Sequence, residues 1–192
     1  MTDEVEQIPN ATGAANWYAI FTRHQHEKLV ERALSNKNHE VFLPLYRSVR
    51  RWQDRRKLLW LPLFPGYVFV RDGMERQLQI LSTPGVIAIV RFGGCLAIVA
   101  QTQIDTVRKI IDSRLAVETH PYLAYGDRVR VRSGPLAGLH GIFARNKGSA
   151  RLVVSMDLLG QSAAVEVDVS NVERIGPFPV MRLSQREAAP AR

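Results

Sequence analysis

The sequence predicts an α+β protein of two domains, in which a sandwich of the split βαβ kind is followed by a small β-barrel. In the first part of the chain, apolar spacings typical of helices interleave with short apolar strands. In the last part, apolar and polar residues alternate and glycines punctuate the turns. An unpatterned stretch that contains Pro121 separates the two parts. We therefore expect domains over residues 16–115 and 126–175, a linker over residues 116–125, and disordered tails over residues 1–15 and 176–192.

The N-terminal elements follow from the spacing of apolar residues. Residues 17–21 form an aromatic and β-branched run, which favours a buried strand. Residues 27–36 place Val30 and Leu34 on one face of a helix. Asp72 and Glu75 have the spacing of a capping box, which predicts a short second helix after them. Further strands are expected at residues 41–43, 67–70 and 86–90, and a third helix over residues 102–115.

The C-terminal part has the pattern of short antiparallel strands. Residues 128–132 alternate arginine with valine, so the valines can fill a core while the arginines face solvent. The loop beyond them is rich in glycine, which permits the positive φ that a tight loop demands. Residues 152–156 and 163–170 are further strands, the latter rich in β-branched valine. Such strands within about fifty residues predict a small barrel.

The sequence lacks the residues that catalysis or metal binding would require. Cys95 is the one cysteine, which excludes an intramolecular disulfide and a thiolate cluster within one chain. Of the five histidines only His24 and His26 are close, whereas a zinc site needs about three or four ligands. The sequence has no nucleophile elbow, P-loop or dinucleotide fingerprint. We therefore expect no enzyme activity, no catalytic residue, no metal and no cofactor.

The composition is that of a protein that folds in water. The hydrophobic fraction is 46% and the charged fraction is 23%. The sequence has no apolar run of about 18 residues, the length that a membrane span needs. Residues 1–16 lack the basic and apolar regions of a secretory signal. We expect a cytoplasmic protein without a membrane partner.

A basic segment over residues 47–57 lies within a chain whose formal net charge is +8. Such a segment is typical either of contact with a polyanion or of a solvated hairpin arm, and charge alone does not choose between them. Six cations share the segment with one acid, Asp54: Arg47, Arg50, Arg51, Arg55, Arg56 and Lys57.

The strand over residues 67–70 carries aromatic residues on one side. Tyr67 and Phe69 share one face, and Val68 and Val70 share the other. The valines suit an internal core. The aromatic side chains are either covered by the protein itself or exposed as anchors for a partner. The pattern alone favours the core.

Two motifs make a family resemblance specific. Residues 126–143, with Gly134, Gly138 and Gly141, resemble a KOW motif. Residues 62–70, with Trp17-Tyr18 at the first strand, resemble the signature of the NusG N-terminal (NGN) domain. The resemblance spans residues 16–175 and implies a ferredoxin-like α/β sandwich followed by a five-stranded, SH3-like barrel.

One segment resembles a particular branch of the NusG family. Residues 90–94 and 97–99 are similar to the specialised paralogues typified by RfaH and by the UpxY-like antiterminators of polysaccharide operons. Leu96 departs from the pattern, since these paralogues usually have proline there.

The resemblance implies several binding surfaces. An apolar surface would bind the clamp helices of the RNA polymerase largest subunit through Tyr67 and Phe69, with Phe64, Trp17 and Phe21 as neighbours. Cations matching those that face non-template DNA are Arg23 and Lys28, with His24 beside them. By analogy, Arg50, Arg51, Arg55 and Arg56 would lie near upstream DNA. A second polymerase contact would involve Arg76 and Gln77, although Leu78 departs from the polar pattern expected there.

The function implied is that of an elongation or antitermination factor that suppresses pausing or termination, on selected operons. One alternative is a housekeeping NusG-type factor that links polymerase to Rho or to a ribosomal small-subunit protein through the barrel. A second alternative is a KOW-containing protein that binds RNA or the ribosome. The charge of residues 126–175 argues mildly against the second alternative, because seven basic residues face five acidic ones.

Overall fold

The computed structural model describes residues 15–52, 55–73, 75–121, 127–146 and 149–177. The predicted disordered tails therefore lie almost wholly outside the described residues. The N-terminal part contains helices α1 (Glu27–Ser35), α2 (Gln77–Leu81) and α3 (Gln101–Asp112). Its strands are β1 (Asn16–Thr22), β2 (Glu40–Phe42), β3 (Leu45–Trp52), β4 (Arg55–Pro62), β5 (Tyr67–Asp72), β6 (Val86–Ile89), β7 (Arg91–Phe92), β8 (Cys95–Leu96) and β9 (Ile98–Val99).

The N-terminal sheet has the order β2-β5-β1-β6, and β9 also pairs with β1. The pairings are antiparallel, with Ile20 opposite Val68. These two residues pack against Val30 and Leu34 of α1 and Ile80 of α2. The helices cover this face of the sheet because their buried residues recur at the helical spacing. The α+β sandwich predicted from the sequence is thereby confirmed.

The opposite face of the sheet carries most of the aromatic residues. Trp17, Ala19 and Phe69 pack there with Ile104 and Val107 of α3. Side chains alternate along β1 and β5, so one sheet separates two cores.

Strands β3 and β4 form a two-stranded sheet of their own, which we call the arm. Its register places Arg47 opposite Trp60 and Val49 opposite Leu58. The arm coincides with the basic segment of the sequence. Residues 53–54 at its turn, including Asp54, lie outside the described residues.

The C-terminal sheet has six strands in the order β10-β14-β13-β12-β11-β15. Its core contains Val129, Val131, Leu136, Leu152 and Val165. Among the described residues no pairing joins β15 to β10, so the sheet is open between these two edge strands. The strands are β10 (Val117–Pro121), β11 (Asp127–Val131), β12 (His140–Asn146), β13 (Ser149–Met156), β14 (Gln161–Glu166) and β15 (Val172–Pro177), with 3-10 turns at Asp157–Leu159 and Val169–Asn171.

Helix α3 ends at Asp112 and not at the expected residue 115. Two segments of the C-terminal part also differ from the expected boundaries. The predicted linker contains β10, whose backbone pairs with β14 although its sequence has little alternation. The strand predicted over residues 163–170 ends at Glu166. Asp168 then caps a 3-10 turn by accepting hydrogen bonds from the backbone N–H and the hydroxyl of Ser170. These bonds lower the pKa of Asp168 below its ordinary value of 3.8.

The two domains share one hydrophobic cluster. Met156, Leu159 and Ala163 of the C-terminal domain pack in it with Phe64 and Phe69 of the N-terminal domain. Ile110 of α3 packs in turn with the core of the C-terminal domain. Helix α3 therefore contributes to the cores of both domains.

Candidate functional site

The aromatic cluster on β1, β5 and the segment before β5 contains every residue predicted to bind the clamp helices. The rings of Phe64 and Phe69 meet edge to face with centroids 6.0 Å apart. The rings of Phe21 and Tyr67 lie 5.4 Å apart. Trp17 donates a hydrogen bond of 2.8 Å from its indole nitrogen to Gln101 Oε1. These contacts fix the rings in place, and the guanidinium of Arg108 lies 5.2 Å from the centroid of the Trp17 ring.

The C-terminal domain and α3 both pack against this cluster. Trp17, Phe64 and Phe69 are buried, and Tyr67 is half-buried. Phe21 is the outermost ring, with 39% of its surface exposed. Gln161 Nε2 donates to Pro65 O across the same boundary, at 3.1 Å. In this arrangement the aromatic residues form a shared core, and Phe21 and Tyr67 form its accessible edge.

The basic residues predicted to face DNA lie between β1 and α1, on α1 and along the arm. Arg23, His24 and Lys28 are exposed. Lys28 Nζ donates to the backbone oxygen of Trp60 at 2.7 Å, so α1 is joined to the outer strand of the arm. In the arm, the register places Arg50 opposite Lys57, Arg51 opposite Arg56 and Trp52 opposite Arg55.

A groove between the arm and the end of α3 was not predicted from the sequence. Its volume is about 830 Å³, and we call it the arm groove. In the sequence, aromatic and apolar residues interleave with the arginines of the arm, and this pattern is the signal for the groove. The charge of the segment had pointed only to a polyanion contact or a solvated arm. The groove is lined by Leu45, Tyr46, Arg47, Val49, Leu58 and Trp60 of the arm and by Ile111, Arg114, Leu115, Ala116 and Val117 of α3 and the segment after it.

The predicted second polymerase contact is tied to the N-terminal core. Arg76 Nη2 lies 3.2 Å from Asp72 Oδ2, and the same oxygen lies 2.8 Å from His39 Nδ1. Gln77 is half-buried at the start of α2, and Leu78 after it is largely exposed. Asp72 therefore binds His39 and Arg76 and is not the helix cap that its spacing predicted.

The glycines of the predicted KOW loop have two different tasks. Gly134 and Gly138 have φ values of +86° and +84°, which favour glycine. Gly141 lies in β12, where a Cβ atom would come within 2.7 Å of Val153 O. Lys109 of α3 donates to Ala137 O at 2.5 Å, so the loop lies against α3.

The described ranges contain neither a candidate metal site nor a candidate membrane span. There, no three His, Cys, Asp or Glu side chains come together in a way that could hold a metal ion. Cys95 is exposed at the start of β8. None of the helices in the described part of the chain is long and apolar enough to cross a membrane.

Known proteins share both the N-terminal sequence and the fold. Residues 15–108 match the family described as "Transcription termination factor nusG". The protein named "Transcription termination/antitermination protein NusG" from Staphylococcus carnosus is 28% identical over 181 residues, which cover 85% of this chain and 97% of that protein. The protein of the same name from Pseudomonas aeruginosa is 26% identical over 178 residues, covering 84% of this chain and 99% of that protein.

A solved structure of Thermotoga maritima NusG has the same fold. Its TM-score is 0.54 and its sequence identity 23%, over 84% of this chain and 97% of that chain. An antiparallel sandwich with one aromatic face, followed by a small sheet domain with a glycine loop, defines the two-domain NGN–KOW class. The chain is therefore similar to NusG proteins over most of its length, and residues 15–108 match the family itself.

Proposed function

We propose that this protein is a transcription elongation or antitermination factor that binds the clamp helices of the RNA polymerase largest subunit through its aromatic cluster. The printed names of the Staphylococcus and Pseudomonas relatives support a role in termination and antitermination. The observation that carries the proposal is the sheet face formed by Trp17, Phe64 and Phe69, which continues to an accessible edge at Tyr67 and Phe21. Aromatic anchors of this kind dominate protein interfaces.

Polymerase binding through the whole cluster requires the C-terminal domain to move away. Met156, Leu159 and Ala163 occupy the space that the clamp helices would take. The two interactions therefore compete, and the apparent affinity for polymerase falls with the fraction of molecules in which the domains are apart. Tyr67 and Phe21 would make the first contact, because they are accessible before the domains separate.

The basic residues supply the proposed contact with nucleic acid. Arg23, His24 and Lys28 would attract the phosphates of non-template DNA, and the arm would reach upstream DNA. Lys28 holds the two regions side by side through its bond to the Trp60 backbone. At the other end of the sheet, Arg76 and Gln77 would touch the opposite jaw of the polymerase.

The mechanism proposed is a shift between polymerase states. A factor that binds the active state more tightly than the paused state increases the population of the active state, and pausing or termination is suppressed. We propose that this occurs on selected operons, since residues 90–94 and 97–99 resemble the specialised paralogues. The second candidate is a general termination and antitermination factor, as the names of the relatives read. Such a factor would link polymerase to Rho or to the ribosome through the C-terminal domain.

Ion pairs within the C-terminal domain argue against a third candidate, an RNA-binding protein. Arg130 pairs with Glu173 at 3.1 Å, and Arg174 pairs with Asp127 at 2.6 Å. Arg151 also pairs with Glu118. Arginines that are already held by carboxylates offer little net charge to a phosphate backbone.

The test is binding of the full-length chain to purified bacterial core RNA polymerase. Tyr67→Ala should weaken binding, because it removes an anchor at the accessible edge. Leu159→Asp should strengthen binding, because a carboxylate in the shared cluster favours separation of the domains. Leu159→Ile conserves volume and is the matched control, with binding like that of the wild type. Phe69 is not chosen because it is fully buried and its truncation would threaten the fold.

Opposite results would reject the proposal. If a folded wild type and a folded Leu159→Asp variant both fail to bind polymerase, the aromatic cluster is only a core. If Tyr67→Ala leaves polymerase binding unchanged both in the wild-type chain and in the Leu159→Asp chain, polymerase uses another surface.

A further inference from the structure

We infer that the arm groove binds unpaired nucleotides of a single-stranded nucleic acid, with a base on Trp60 and phosphates on Arg47 and Arg114. The inference rests on the proposed contact of the arm with DNA, and it specifies the class of ligand and the residues that take it. It is independent of the aromatic cluster, since none of the residues that line the groove was predicted to bind polymerase.

The floor of the arm groove is apolar and open to solvent. Val49 is 64% exposed, Trp60 is 50% exposed and Leu58 is 47% exposed. The arm register brings all three to one face, together with Arg47. The face opposes Leu115 across the groove. A contiguous apolar surface of this kind marks a binding site more often than a solvated face.

The rim of the arm groove is cationic. Arg47 stands on one side and Arg114 on the other, and both are exposed. No Asp or Glu is among the residues that line the groove. Lys28 adds a further cation at the edge of β4. The ligand that fits has a flat apolar part and an anionic part, which describes a nucleotide.

Other occupants match these features less well. In a duplex the bases are stacked and paired, so none can present its face to Trp60. The tail of this chain, residues 178–192, carries three arginines against one glutamate, and a cationic rim repels it. A volume of about 830 Å³ exceeds that of one base, which leaves room for the sugar and phosphates that follow it.

Arg114 has a backbone conformation that singles it out within the groove. Its φ is +59°, at the position after the C-cap of α3 where glycine is usual. A side chain there strains the backbone. An arginine at this strained position costs free energy of folding. A ligand contact made by Arg114 accounts for its presence there.

The experiment measures fluorescence anisotropy of an end-labelled oligo-deoxythymidine of about 12 nucleotides, within the site sizes of single-strand-binding folds. The full-length chain is titrated at low salt. Trp60→Ala should weaken binding about tenfold or more, and Trp60→Phe should recover most of the loss because it keeps a stacking ring. Arg114→Gly should weaken binding several-fold and yet raise the melting temperature, since glycine relieves the strained φ.

Two variants outside the arm groove serve as controls. Phe92→Ala removes an aromatic ring that is 82% exposed on β7, and it should bind as wild type does. Arg132→Gln removes an exposed cation of the C-terminal domain, so it measures the loss due to net charge alone. The loss in Arg114→Gly should exceed the loss in Arg132→Gln.

Two results would overturn the inference. One is a folded wild type that does not bind the oligonucleotide at low salt. The other is binding that Trp60→Ala leaves unchanged, or that a duplex of equal length matches, which would assign it to the charge of the arm alone. The assay contains no polymerase, so either failure leaves the proposed clamp-helix contact to its own test.

Discussion

At the residue scale, a buried carboxylate joins three elements of the N-terminal domain. Asp72 ends β5, Arg76 precedes α2, and His39 precedes β2. The side chain of His39 is fully buried and that of Asp72 nearly so, with 2.8 Å between Nδ1 and Oδ2. A buried carboxylate is stable only when it is paired or hydrogen-bonded. These contacts therefore fix the approach of α2 to the sheet.

Asp72→Ala should lower the free energy of unfolding by about 2–4 kcal/mol, because removing one partner leaves the polar His39 ring buried. Chemical denaturation at neutral pH measures the effect. Asp105→Ala is the matched control, since the exposed Asp105 pairs with Arg108 at 3.8 Å on the surface of α3. Such pairs contribute about 0–1 kcal/mol. Equal losses in the two variants would show that Asp72 has no structural role beyond that of a surface charge.

The sequence could not predict this interaction, for a physical reason. The spacing of Asp72 and Glu75 reports only local geometry, and it favoured a helix cap. The true partner, His39, is 33 residues away and is brought close by the pairing of β2 with β5. Partners across a sheet depend on register, which a single sequence specifies weakly where the apolar pattern is short.

At the element scale, the arm is a hairpin with little share in either core. Val49 and Leu58 are opposite each other near its outer half, and both are largely exposed. The arm therefore persists through its own backbone pairing and through its contacts at the base. Packing therefore accounts for little of the arm, which agrees with the binding role proposed for it.

Replacing residues 49–58 by Asn-Gly should change the free energy of unfolding by less than about 1 kcal/mol, because Val49, Lys57 and Leu58 are exposed and exposed residues contribute little to stability. Ser48 and Leu59 would then flank a two-residue turn, which the hairpin geometry accommodates. Urea denaturation measures the effect. Leu63→Ala, at a fully buried position just beyond the arm, is the contrasting variant and should cost about 2–5 kcal/mol. A loss of several kcal/mol in the shortened arm would mean that the arm belongs to the core.

The elements with regular patterns were the predictable ones. Residues 128–132 alternate arginine with valine, and residues 128–131 lie in β11. Residues 163–166, from the start of the predicted valine-rich strand, form most of β14. By contrast, β10 has the sequence Val-Glu-Thr-His-Pro, which signals neither helix nor strand. It forms because β14 offers a free edge, and such an edge is a property of the folded sheet.

At the scale of the whole molecule, the same aromatic residues form a core between the domains and are predicted to bind a partner. The sequence suggested either a core or a partner surface for Tyr67 and Phe69, and pattern alone favoured the core. The structure places Phe69 in a core that Met156, Leu159 and Ala163 complete from the other domain. The polymerase contact stays a prediction. A single sequence cannot distinguish a permanent core from one shared between domains, because both require the same apolar alternation.

Leu159→Asp should separate the two domains in solution. The carboxylate would be buried among Trp17, Phe64 and Phe69, and the cost of its desolvation is relieved when the domains part. Small-angle X-ray scattering should show a larger radius of gyration than in the wild type or in Leu159→Ile. Circular dichroism should remain that of the folded protein. A variant that stays as compact as the wild type would show that the shared cluster tolerates the charge.

The place of Trp17 has a spectroscopic consequence. Its indole is buried in the cluster that the domains share, with the guanidinium of Arg108 5.2 Å above the ring. Indole emission moves to longer wavelength when water reaches the ring, whereas Trp60 on the arm is already half in contact with water. A shift of the intrinsic emission to longer wavelength therefore reports that water has reached Trp17, so separation of the domains can be followed without any added dye.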